Sequence, residues 1–131
     1  MAKTIEVNFP GGKRVDAKIG DVLIKTDQSK ANGGEGSFPE PFELFLTSLA
    51  TCAGIYALDF CQTRGVNTDD MVLKMICERD REKKLYTKMS FNLTLPKDFP
   101  EKYRKAITRS MELCSVKKHL QNPPEITVNL E

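Results

Sequence analysis

Leu44 to Leu58 is the segment that most constrains how this chain can fold: fifteen successive residues without a charge. Pro41 suits the first position of a helix, where its missing N–H is not needed. Gly65 can supply the left-handed residue that ends one. The segment therefore predicts a helix from Pro41 to about Arg64, about 36 Å long at 1.5 Å per residue. Its centre is apolar around most of the circumference, so it must be covered on nearly every side. A domain of 131 residues can lay a sheet on one side and has little else to offer the other. A second copy of the chain is the natural cover, with the helix buried between subunits. The uncharged run falls short of the roughly 20 residues that span a bilayer, which favours a core helix over a membrane one.

The flanking segments read as strands and turns. Thr4–Asn8 alternates, Pro10-Gly11-Gly12 turns, and Arg14–Lys18 and Val22–Lys25 make two further strands around Gly20-Asp21. Residues 28–41 hold Gly33, Gly34, Gly36, Pro39 and Pro41 and form a long loop, a common place for a site border. After the helix, Met71–Arg79 and Leu85–Leu95 are strands joined by the charged hairpin Arg79–Lys84. Pro100–Leu120 reads as a second helix, stopped by Pro123-Pro124. Ile126, Val128 and Leu130 alternate as a last strand. The order β-β-β-α-β-β-α-β, with strands in hairpin blocks, predicts an α+β fold in one domain over residues 1–131.

Composition excludes several functions. Twenty basic and 18 acidic side chains leave a net charge of +2, no field for nucleic acid. The N-terminal residues have no apolar export core. Four cysteines in such a chain fit a reducing compartment, so a cytoplasmic protein is expected. There is no CxxC, and the single His119 has no Cys at ligand spacing, so no zinc site is expected.

The remaining chemistry lies in Cys52, on the apolar helix, and Cys114, near the end of the second helix. Two thiols on separate helices can form a redox couple. They can equally be inert core residues, because free Cys is among the most buried residue types. Cys61 and Cys77 read as small core residues.

Gly33-Gly34, Pro39-Glu40-Pro41-Phe42-Glu43-Leu44, Leu49-Ala50-Thr51-Cys52 and Cys114-Ser115-Val116, in this element order, resemble the OsmC/Ohr family of osmotically inducible and organic hydroperoxide resistance proteins. The resemblance covers essentially the whole chain and is nearest the OsmC-like branch. It implies a two-layer, intertwined homodimer with the long helix at its centre. It also implies a thiol-dependent peroxidase for organic hydroperoxides, acting in oxidative stress defence. Cys52 would be the peroxidatic thiol and Cys114 the resolving one, reset by a small dithiol or lipoyl-type reductant, without nucleic acid or membrane as partner. The alternative is a non-catalytic dimer that binds a small hydrophobic ligand at the subunit interface.

The family also uses an Arg from the N-terminal strands and an acid ten residues before the first Cys. Arg14 is the one Arg that precedes Cys52. Phe42 occupies the acid's position, and Glu43 stands nine residues before Cys52. Nine steps of an ideal helix turn about 180°, so Glu43 and Cys52 are expected to face opposite ways. A cation is the expected means of lowering the Cys52 pKa, with Arg14 the candidate and Glu43 the second residue of the site.

Overall fold

The computed structural model describes residues 2–131. The chain forms two compact units, residues up to Thr47 and Ser48–Glu131.

The first unit is an antiparallel sheet of β1 (Glu6–Gly11), β2 (Arg14–Ile19) and β3 (Val22–Thr26), in that order. The register pairs Val7 with Ala17 and Ala17 with Ile24. Alternation therefore puts Val7, Val15, Ala17, Ile19, Val22 and Ile24 on one face, and Arg14, Asp16, Lys18 and Lys25 on the other. The loop that follows is tightly organised around Asp27, which is 1% exposed. Its carboxylate accepts the backbone N–H groups of Gln28 (2.8 Å), Ser37 (3.1 Å) and Glu35 (3.3 Å). The Ser37 bond leads the effects that hold the Asp27 pKa below its ordinary value. Gly34 is required here: a Cβ on it would lie 2.1 Å from the Gln28 carbonyl oxygen.

α1 (Pro41–Thr63) begins inside the first unit and continues into the second. Pro41 stands at its first position, and the Glu43 carboxylate accepts the Glu40 N–H at 3.1 Å, one half of a capping box. Gly65 (φ 66°) ends the helix as the sequence predicts. The Val66 N–H reaches the Cys61 carbonyl at 2.9 Å and the Gly65 N–H the Gln62 carbonyl at 3.2 Å, the Schellman pattern.

In the second unit, β4 (Val72–Asp80) and β5 (Leu85–Thr94) form a hairpin, followed by α2 (Arg104–Met111) and α3 (Ser115–Gln121). Leu73 pairs with Leu93, Met75 with Phe91 and Cys77 with Met89 on the inner face. Ala57, Phe60 and Cys61 of α1 and Ile107 of α2 form the buried centre, with Leu93, Leu95 and Tyr103 packed on it. Cys61 belongs to this buried centre, whereas Cys77, on the hairpin, is half-buried and outside it. α1 spans 23 residues with a mean hydropathy of 1.6 over its most apolar stretch, enough by length and composition to cross a membrane. The fifteen-residue uncharged run understates that length. One face of the helix, through Ala57, Phe60 and Cys61, packs with Ile107 and the β5 side chains, and 28% of the apolar stretch is buried.

Two expectations are corrected. The single helix Pro100–Leu120 is a 3-10 turn (Glu101–Tyr103), then α2, then α3. The break at Glu112–Cys114 carries no Pro or Gly; the Ser115 and Val116 amides it frees meet the Cys52 sulfur of α1, and local sequence does not show that compensation. Nor do Ile126, Val128 and Leu130 form a strand. They lie outside any ladder, 83%, 90% and 99% exposed. Alternation says which face of a strand would be buried, but a ladder also needs a neighbouring edge, and this segment has none among the described residues.

Candidate active site

Cys52 lies midway along α1. Cys114 is the residue just before α3, where its backbone (φ −47°, ψ 127°) is not helical. Both are free thiols and their side chains are hydrogen-bonded to each other. The fold thus brings together the two residues that the sequence singles out. Cys52 is half-buried, whereas Cys114 is 3% exposed.

The two environments push the thiols apart. Burial raises the Cys52 pKa, but hydrogen bonds from the Cys114 S–H and the backbone N–H groups of Val116 and Ser115 outweigh it and hold the thiol below its ordinary value. Ser115, Val116 and Lys117 are the first residues of α3, whose N–H groups have no partner within the helix. Such a terminus favours a thiolate. Cys114 is pushed up, first by burial and next by donating to Cys52. The pair therefore sets a thiol of lowered pKa beside one of raised pKa. The donors to Cys52 within this unit are hydrogen-bonding groups, where a cation was expected. Ser115 and Val116 act through their amides, so only their place beside Cys114 marked them.

Arg14 and Glu43 have their own partners in the first unit. The Arg14 Nη2 donates to both carboxylate oxygens of Asp16, at 2.8 and 2.9 Å, and its guanidinium lies 4.7 Å from the centre of the Phe38 ring. Its Nε is buried without a hydrogen-bond partner among the described residues. Asp16, 6% exposed, is thus the acid that holds Arg14. The signal was present in the sequence: residues i and i+2 share one face of a strand. Glu43 is exposed and serves as the cap described above.

Beside the thiols the second unit encloses a cavity of about 560 Å³, within the range of small-molecule sites. Its walls are mainly apolar, from Leu49 and Ala53 of α1, the inner face of β5, and Ile107 and Met111 of α2. Cys114, Lys117 and Leu120 close one side.

Fold and site together define an α+β protein with a long thiol-bearing helix and a second thiol at a helix start. The chain belongs to the OsmC-like protein family, whose sequence pattern matches residues 34–129. Among solved structures, a Psychrobacter arcticus protein of the osmotic stress and detoxification response superposes with a TM-score of 0.76 at 20% identity, covering 90% of this chain and 88% of that one. An OsmC-like protein from Mycoplasma pneumoniae gives 0.72 at 14% identity, covering 94% and 89%. The organic hydroperoxide resistance protein OhrB of Bacillus subtilis gives 0.52 at 15% identity, covering 94% and 93%. No curated protein matches the chain.

Proposed function

We propose that this protein is a thiol-dependent peroxidase for organic hydroperoxides, with a role in peroxide defence. The observation that carries the reading is the hydrogen-bonded pair Cys52–Cys114 at the start of α3, one thiol lowered in pKa and the other raised. The Cys52 thiolate attacks the O–O bond of the hydroperoxide; the alkoxide leaves and takes a proton as the alcohol, and Cys52 becomes a sulfenic acid. The Cys114 thiol condenses with it, releasing water and forming the disulfide. An external dithiol, small or lipoyl-type, resets the pair by exchange. An apolar surround favours organic hydroperoxides over hydrogen peroxide, because the alkyl group gains burial energy.

Arg14 remains the cation proposed for this chemistry; in the first unit Asp16 holds it, and its Nε has no hydrogen-bond partner among the described residues. Glu43 contributes by fixing the start of α1. A homodimer is part of the reading: exposed Val7, Phe9 and Val22 on the first sheet and Ile55 on α1 are apolar surface that a second copy would cover.

The test is turnover of cumene hydroperoxide with dithiothreitol or dihydrolipoamide. Cys52→Ser abolishes it. Cys114→Ser permits one equivalent of peroxide reduction and then stalls as the sulfenic acid. No turnover by the unaltered protein with either dithiol overturns the reading. The apolar cavity supports a second reading, a non-catalytic binder of a small hydrophobic ligand. It predicts saturable binding of an apolar probe and no oxidation of Cys52 by the peroxide.

A further inference from the structure

We infer that the cavity beside α3 is the way in for the reductant, and that the reductant attacks Cys114, not Cys52. The inference deepens the proposed function and rests on it for the existence of the disulfide. Among the described residues that line the cavity, Cys114 is the one thiol. Cys52 lies outside that lining and is half-buried where Cys114 is buried, so the two sulfurs are approached differently. Cys114 is only 3% exposed, which shuts out a bulky reagent but admits a slender arm that enters the cavity. The walls set the class of that arm: Leu49, Phe91, Ile107 and Met111 reward an alkyl chain that carries a dithiol.

The chemistry of exchange runs the same way. A reductant thiolate attacks Cys114 Sγ and forms a new S–S bond. The Cys52–Cys114 bond breaks, and Cys52 leaves with the electron pair as a thiolate. The second thiol of the reductant, deprotonated, then attacks its own sulfur in the mixed disulfide. Cys114 leaves and takes up a proton, and the reductant departs as a cyclic disulfide, oxidised by two electrons. Exchange is faster when the leaving thiol has the lower pKa. Cys52, whose pKa the Cys114 thiol and the Val116 and Ser115 amides lower, is the better leaving group, and Cys114, pushed up by burial, the poorer. Peroxide thus meets Cys52 and reductant meets Cys114, on separate approaches.

The test forms the disulfide with diamide, so that it does not depend on peroxide chemistry. The oxidised protein is treated with octanethiol, an apolar monothiol that cannot complete the second step. It is then quenched in acid, blocked with N-ethylmaleimide and mapped by peptide mass spectrometry. The expected product carries octanethiol on Cys114 and maleimide on Cys52; the reverse pattern overturns the inference. Failure to form any Cys52–Cys114 disulfide removes the proposed function itself, a distinct outcome. In the second arm Leu120→Glu, at a half-exposed cavity residue, is reduced by dihydrolipoamide and by dithiothreitol. The ratio of the two rates should fall at least about fivefold, as an apolar arm loses burial beside a charge. An unchanged ratio overturns the inference. So does an unchanged ratio with an altered sedimentation coefficient, which would mark the cavity as a seat for a second copy of the chain.

Discussion

Ser115→Pro removes one donor from the Cys52 thiolate and little else. Ser115 is the first residue of α3, a position where Pro is favoured and where the lost N–H has no partner within the helix. Cys114, at φ −47° and ψ 127°, already has the extended backbone that a residue before Pro requires. The Ser115 side chain is exposed. What disappears is the backbone bond to Cys52. A hydrogen bond to a charged group is worth about 1.5–3 kcal/mol. The lower end applies here, because the Val116 amide and the Cys114 thiol remain to share the charge. That is about tenfold in the thiolate fraction at a pH below the Cys52 pKa. Alkylation of Cys52, followed by peptide mass spectrometry so that the other cysteines do not contribute, should therefore slow about tenfold in that range and recover at alkaline pH. An unchanged alkylation profile in a folded variant would refute the assignment of the α3 amides. A larger effect from Arg14→Ala than from Ser115→Pro would return the leading role to the cation.

Three further outcomes test the scaffold. Gly34→Ala should destabilise by about 1–3 kcal/mol in urea unfolding, because the new Cβ meets a backbone oxygen that no rotamer change can move. Ile107→Ala should cost about 2–5 kcal/mol, since Ile107 is 2% exposed at the centre of the second unit. Cys61 is fully buried, and burial raises its pKa against a partial lowering by the Arg64 charge. Above about pH 8.5 the unfolded chain gives up the Cys61 proton while the folded protein keeps it. Folding then carries the extra proton, so its stability falls as pH rises. The stability gap between the protein and Cys61→Ala should accordingly narrow above about pH 8.5, read from urea midpoints; a constant gap would contradict the burial assignment.

Local chemistry in the sequence determined most of the elements. Pro41 and Gly65 bracket α1 because one lacks an N–H that the first turn does not use and the other reaches a positive φ without strain. Alternation placed β2, β3, β4 and β5 within a residue or so of their ends, since the period of a strand is written in its side chains. Cys52 and Cys114 stood out because each lies in a short motif. What the sequence could not carry were the partners that close such groups from elsewhere in the chain. Phe38 lies against the Arg14 guanidinium only once the loop that carries it folds back beside β2. The helical pattern of residues 100–120 breaks before Ser115, where the Cys52 sulfur of α1 accepts the amides so freed. Ile126, Val128 and Leu130 alternate like a strand and yet join no ladder among the described residues. Periodicity is a property of neighbours along the chain; capping, ion pairing and ladder formation need a partner across space, and only the tertiary structure supplies or withholds it.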